Sequence, residues 1–325
     1  MTGSEDRALT VVLATCNRSA VLAETLAHMC RTDRTALTID FVVVDNNSQD
    51  DTRSVVESFQ ARLPIQYLHE PRTGKNRALN RALEQGRFGQ LVVFTDDDVT
   101  PAPDWFRAIV EISARWPHHK VFGGRIVPAW PVKDPPGWAH DSLIRQLAFA
   151  AHDLGPVEKP YVATEQPFGP NFWLRRDVLE HDLRFDESVG PGTGSLGDEV
   201  MFLHALQRKG LEIIYSPHAC VEHRIQPDGI CERKLEQRAL MVGRIGPTMY
   251  GLCRPDLLDS APWLWKLLRH IRLNQAKLSL LRAKFHPSAQ QRVIRSISPL
   301  INIGYNAESL RLARHHRDRR IPRAS

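Results

Sequence analysis

The sequence predicts an α/β protein with a mostly parallel sheet, helices on both of its faces, and a helical extension after it. Three observations predict this. Short apolar runs alternate with helical patterns through the first hundred residues (Leu9–Ala14, Phe41–Val44, Ile65–Leu68, then Leu91–Thr95), as in repeated βα units. Each run ends in polar or charged residues, and in open α/β sheets ligands bind beyond the carboxyl ends of strands. Charge is divided unevenly: residues 261–325 hold 14 Lys+Arg against 2 Asp+Glu inside a chain of net charge +6.

Taken in order, the first run leads into Thr15-Cys16-Asn17-Arg18 and a helix to about Met29. The second ends at Asp45-Asn46-Asn47-Ser48, with an N-cap for a helix over 52–60 supplied between Ser48 and Asp51. After the third, Gly74 opens a helix over 76–85 with apolar positions 78, 79, 82 and 83, and Gly86 closes it. Gly74 beside Lys75 and Arg77 at a helix start suits an anion, and equally a loop with surface charges. The fourth run meets three carboxylates, Asp96, Asp97 and Asp98. Adjacent carboxylates repel, and a divalent cation removes that conflict, with hard oxygen ligands suiting Mg²⁺ or Mn²⁺ and hence a diphosphate. Alternation along an extended chain would turn Asp96 and Asp98 to one side and Asp97 to the other. The rival reading is a solvated acidic turn before Pro101 and Pro103.

Composition sets limits. No run of about 18 uncharged apolar residues occurs, so no membrane span is expected, and Thr10–Ala14 is too short for a signal-peptide core. Five scattered cysteines without CxxC spacing fit a reducing cytosol and argue against zinc. Neither G-x-G-x-x-G after the first strand nor a P-loop is present, which disfavours dinucleotide and P-loop chemistry. The basic excess is confined to the tail rather than interleaved with aromatics, so no nucleic-acid partner is expected.

Four motifs in order (T-x-N-R, D-N-x-S-x-D-x-T, E-P-x-x-G-x-x-x-A-x-N and F-x-D-D-D), together with Phe168–Arg176 and Val221-Glu222-His223, resemble the inverting glycosyltransferases of family 2, which have the GT-A fold. The resemblance covers about residues 8–235 and implies a catalytic domain over 1–235, with a basic helical extension over 236–325. It implies a nucleotide-diphospho-sugar donor (UDP- or GDP-linked) held by Thr15, Asn17, Arg18, Asp45, Asn47, Gly74, Lys75, Asp96 and Asp97. It implies Mn²⁺ or Mg²⁺ on Asp98, Asp96 and His223, and a saccharide or lipid-linked acceptor near Gly169, Asn171 and Trp173. The base is Glu199 by position or Asp198 by residue type, since the family's acidic pair is reversed here. The family's A-R-N reads Ala78-Leu79-Asn80, and the Q-x-x-R-W of the polymerising synthases is absent, so addition of a single sugar is expected. A sugar nucleotidyltransferase would need a Gly-rich basic loop after the first strand. A non-catalytic binding protein would lack the carboxylates at 96, 98 and 198–199, and all are present.

Prolines 128, 131, 135 and 136 make the Trp130–Trp138 stretch a loop, whether lid, acceptor groove or plain surface. Residues 263–285 read as a helix with apolar positions 264, 267, 268, 271, 278, 281 and 285 and a basic side. Such a helix lies on a membrane surface, or pairs with 291–314 in a hairpin packed on the catalytic domain. The expected location is cytoplasmic, or peripheral at the inner face of the plasma membrane.

Overall fold

A computed structural model describes residues 8–318 apart from 163, 164, 182, 191–197, 251 and 254. The described chain forms two compact units. One comprises the residues up to Pro131 together with Phe149–Ile225; the other comprises Val132–Ala148 with the residues from Gln226 onward.

Among the described residues, the first unit is organised on a nine-stranded sheet. Strands β1 (Ala8–Thr15), β2 (Thr38–Asp45), β3 (Ile65–His69) and β4 (Leu91–Thr95) are mutually parallel in the order β3-β2-β1-β4. Their connections are helices α1 (Ser19–Arg31), α2 (Thr52–Phe59) and α3 (Lys75–Gln85). The runs are apolar throughout because both faces are covered, as a buried parallel sheet requires. Leu9, Val11, Leu13, Phe41, Val43 and Val93 enter one core cluster. Val12, Val42, Val44, Val92 and Phe94, one residue out of phase, enter the other. Each such side chain contributes about 1.5–3 kcal/mol by burial.

The rest of the sheet is mixed. Its strands are β5 (Val99–Pro101), β6 (Val121–Ala129), β7 (Lys159–Pro160), β8 (Phe172–Arg175) and β9 (Ile213–Arg224), and helix α4 (Trp105–Arg115) packs beneath. β8 lies between β4 and β6 and is antiparallel to both, while β6 and β9 are parallel. The "mostly parallel" expectation therefore holds for the first four strands and not for the second half. The last strand, β9, contains Pro217. It continues to Arg224, because a register shift opposite Gly124/Arg125 absorbs the proline region, as a bulge does. This extension pairs His223 with Val99 across β5 and β9.

Gly86 follows α3 with φ −69°, so it is no left-handed cap. It is small because a Cβ there would lie 2.7 Å from the ring of Phe88. Helix α6 (Asp198–Arg208) is followed by Gly210, whose φ of +85° suits glycine.

The second unit is helical, with α5 (Ser142–Phe149) leading out of it, then α7 (Glu232–Tyr250), α8 (Pro255–Ser260), α9 (Pro262–Lys284) and α10 (Ala289–Asp318). A boundary at 235 would cut α7. The backbones of α7 and α10 approach so closely that a Cβ on Gly243 would lie 2.0 Å from the Ile301 carbonyl oxygen. The proline-rich stretch belongs partly here: Gly137–His140 is a 3-10 turn with Trp138 buried, and Gly137 abuts Gln290 of α10.

Candidate active site

The carboxyl ends of β1 and β2 are tied together by short polar side chains. Asn17, at φ 52°, receives the Gln49 N–H on its Oδ1 at 2.7 Å and donates its own backbone N–H to Ser48 Oγ at 2.9 Å. Asp50 accepts the Ser19 N–H at 2.9 Å at the start of α1. Asp45 is buried, accepting the Ser48 N–H and the Tyr67 hydroxyl, each at 2.8 Å. Burial, then that bond to a carboxylate, pushes the Tyr67 phenol up to about 12. Asn46, which sequence reasoning passed over, is the hinge-pin to the next loop: its Nδ2 donates to Arg72 O at 2.8 Å and its Oδ1 accepts the Gly74 N–H at 2.7 Å. Gly74 has φ +140°, a conformation that favours glycine. Asn47, at φ 60°, is half-buried on the same loop.

The acidic turn after β4 is neutralised from within the protein. Arg18 donates to Asp97 Oδ1 at 2.5 Å and to Asp98 Oδ2 at 2.8 Å. Thr15 donates its hydroxyl to Asp97 Oδ2 at 2.6 Å. Lys75 holds Asp96 at 2.6 Å, and His223 Nε2 stands 3.3 Å from Asp98 Oδ1. This corrects two expectations. A single guanidinium reaches both Asp97 and Asp98, so the simple alternation of sides fails where the strand gives way to a turn. Repulsion among the three carboxylates is also relieved from within the protein, by the fixed cations Arg18 and Lys75, whether or not a metal joins Asp98 and His223. Asp97 and Thr15 are buried against each other. They brace the turn, and neither presents a free surface to a ligand. Burial pushes Asp97 up to about 6 against the pull of Arg18. Burial would raise Asp98 too, but His223 and Arg18 outweigh it and hold that carboxyl well below the usual range. Behind the turn, Arg224 donates to Val99 O at 2.6 Å and to Thr25 Oγ1 at 2.7 Å, and Thr25 donates to the Asp97 carbonyl at 2.5 Å. Its position next to His223 was the available signal for this bracket.

Lys75 also forms an ion pair with Glu199 near the start of α6. Glu199 is buried, and a Cβ at position 169 would lie 2.4 Å from its Oε1. Gly169 therefore makes room for this carboxylate. The side chain of Asp198, and residues 191–197 before it, lie outside the described residues. Two acceptor-side expectations are corrected. Asn171 is fully buried, donating to Ala219 O at 2.7 Å and Arg125 O at 2.9 Å and accepting the Trp105 indole N–H at 3.1 Å. Trp173 is fully buried and donates to Ser113 Oγ at 3.0 Å. Asn171 ties β6 to β9 and Trp173 ties β8 to α4, and neither reaches a surface that an acceptor could touch.

Asp98 and His223 suit a divalent cation. The His223 Nδ1 faces the Phe149 carbonyl at 2.9 Å, which can only accept, so Nδ1 carries the proton and Nε2 is turned to the site. A backbone carbonyl behind a ligating imidazole is the usual support. Asp98 Oδ1 is buried without a hydrogen bond and lies 3.3 Å from His223 Nε2. Asp96 is turned to Lys75 instead, and no group of three such side chains converges among the described residues. Two protein ligands fit an ion that completes its shell with substrate phosphates.

Comparison with known structures supports this architecture. A mannosyltransferase from Pyrobaculum calidifontis, solved with GDP-Man and Mn²⁺, aligns over 91% of this chain and 85% of its own with a TM-score of 0.57 at 20% identity. S. aureus TarS 1–349 with UDP-GlcNAc aligns over 97% and 93% with a TM-score of 0.51 at 13% identity. The fold is therefore the GT-A fold. The glycosyl transferase family 2 profile matches residues 10–181, more than half of the chain, and the chain belongs to that family. Among curated relatives, the Rhizobium meliloti succinoglycan biosynthesis protein ExoM is 29% identical over 64% of this chain and 64% of its own. The Haloferax volcanii glucosyl-dolichyl phosphate glucuronosyltransferase is 24% identical over 57% and 58%. The chain thus spans about three-fifths of the length of these relatives.

Proposed function

We propose that this glycosyltransferase moves one sugar from a UDP- or GDP-sugar to a hydroxyl of a saccharide or lipid-linked acceptor, with inversion at the anomeric carbon, in the synthesis of a cell-surface polysaccharide or glycolipid. The observation that carries this is the double ion pair of Lys75, which links Asp96 of the acidic turn to Glu199, 124 residues away from Lys75 in sequence. A donor-side carboxylate and a candidate base are thereby held one ammonium apart.

The loops after β1 and β2, with Asn17, Asn47 and Asp45, receive the base and ribose of the donor. Gly74 and Lys75 face the diphosphate, and Asp96 meets the ribose or the sugar. Asp98 and His223 hold Mn²⁺ or Mg²⁺, which when bound neutralises charge developing on the leaving diphosphate. Glu199 takes the proton of the acceptor hydroxyl as its oxygen attacks the anomeric carbon opposite the leaving group. One displacement inverts the centre, and the nucleoside diphosphate leaves. The mannosyltransferase complex with GDP-Man and Mn²⁺ and the TarS complex with UDP-GlcNAc support a nucleotide-sugar donor, and the former supports a metal.

The test is a panel of UDP- and GDP-sugars against the full chain, read by thermal shift with and without Mn²⁺ and by NMR of the product. A shift that needs Mn²⁺ and vanishes in Asp98→Ala, with a single added sugar of inverted configuration, is the expected result. A product of retained configuration, or nucleotidyl transfer in place of glycosyl transfer, overturns the reading.

A further inference from the structure

The face of α9 that packs is not the face its sequence pattern suggests. Toward its neighbours α9 presents Trp265, Arg269, Ala276 and Ala283, all buried. The Trp265 indole donates to Cys253 O at 2.8 Å, and the Arg269 guanidinium stacks 5.5 Å over that indole. The opposite face is apolar and bare: Trp263, Leu267, Ile271, Leu278, Leu281 and Phe285 are 69, 49, 43, 48, 52 and 80% exposed. At 3.6 residues per turn these six positions fall within an arc of about 80°, and the stripe runs about 35 Å along the helix. It is continuous except for Asn274. A contiguous exposed apolar surface of this kind marks an interaction site.

The charges beside the stripe define what covers it. Lys266, His270, Lys277 and Lys284 follow one border and Arg282 stands at the other, while Pro262–Lys284 contains no Asp or Glu. A second copy of this helix would set lysine rows against each other with no carboxylate to pair them. A protein helix would need an acidic rim of its own. An anionic bilayer surface answers both halves at once, with acyl chains beneath the stripe and headgroup phosphates at its basic borders. Trp263 at one end and Phe285 at the other are aromatic, and Trp suits the level of the headgroups. No described helix is long and apolar enough to cross a membrane, and a stripe this narrow suits a helix lying in the plane.

We propose that α9 is an in-plane anchor that seats its Trp263–Phe285 stripe in the headgroup boundary of an anionic phospholipid membrane. This inference stands apart from the transferase reading, so the two can fail separately.

The experiment is cosedimentation of the full chain with phosphatidylcholine vesicles, with and without phosphatidylglycerol. The wild type is expected to pellet with the anionic vesicles, and L267D/I271D/L278D to bind at least tenfold more weakly. K266E/K277E/K284E is expected to lose the dependence on phosphatidylglycerol. All six positions lie away from the packed face, so thermal midpoints and far-UV circular dichroism should match wild type. The nucleotide-sugar thermal shift should also persist in both variants, which separates loss of anchoring from loss of the active site. Wild type that stays in the supernatant overturns the proposal, as does a triple Asp variant that pellets like wild type. A dimer by light scattering that this variant abolishes, without vesicle binding, assigns the stripe to a second copy and also overturns it.

Discussion

The acidic turn after β4 and the outer face of α9 treat awkward surface in opposite ways. At the turn, three adjacent carboxylates are met by Arg18, Lys75 and His223, residues 21 to 125 positions away. Along the outer stripe of α9 and its C-cap Phe285, six large apolar side chains are left uncovered, with Leu268 beside them, although helices of the same unit pack backbone to backbone nearby. Charge brought into a low-dielectric interior must be paired at once, because an isolated buried ion costs several kcal/mol. An apolar stripe can stay bare if its solvent is not water. The first region is finished by the chain itself, and the second is finished from outside.

The largest effect expected from breaking the first region is kinetic. Glu199→Gln keeps the size of the residue and its place beside Gly169 but removes the proton acceptor. It should lower kcat by about 10²–10⁴ while the donor-induced thermal shift persists. Equal turnover by this variant would transfer the role to Asp198.

Next comes stability. Arg18→Ala strands buried Asp97 beside Thr15 alone and should cost about 3 kcal/mol in urea denaturation. The double variant R18A/D97N should recover most of it, which an ordinary packing loss would not.

An intermediate case sharpens the contrast. His152 is buried and its Nε2 meets only the neutral Tyr161 hydroxyl, at 2.7 Å. Burial holds its imidazole down at about 4. Between about pH 6.5 and 4 the unfolded chain therefore binds a proton that the native state does not, so stability falls as pH drops through that window. The loss is about 3 kcal/mol when complete. Urea midpoints against pH should show this slope in wild type and a flatter one in His152→Gln.

The smallest effect belongs to the uncovered face. Leu278→Ser should change stability by under about 0.5 kcal/mol, whereas Trp265→Ala, on the packed face of the same helix, should cost about 3–5 kcal/mol. Comparable losses at both positions would show that the stripe is packed after all.

What could be read from sequence follows the range of the interactions. Strands β1–β4 are continuous apolar runs closed by polar residues, so both their existence and their shared carboxyl edge were legible. Strands β5, β6 and β8 were not, because β5 is three residues long, β6 carries Gly123-Gly124 inside it, and β8 is four residues inside a motif of other interest. The candidate site residues cluster as their motifs suggested around 15–18, 45–50, 74–75 and 96–98. Their partners were hidden, since nothing local tells Arg18 that it will meet Asp97 79 positions later. Asn171 and Trp173 read as surface chemistry because a buried side chain with satisfied polar atoms looks the same in a one-dimensional pattern. In α9 the stripe was visible but its direction was not. A packing face made of Arg269, Ala276 and Ala283 carries little apolar signal beside Leu and Ile.

Gly169 and Glu199 share one small volume, since a single added methyl at 169 would collide with the carboxylate. The order in which changes can accumulate is thereby constrained. A lineage that enlarges residue 169 while residue 199 keeps its length displaces the carboxylate first and repairs it later. A lineage that first shortens residue 199 leaves room in which 169 can then grow. The two positions are thus sterically coupled, and the size tolerated at 169 is set by the length of the side chain at 199.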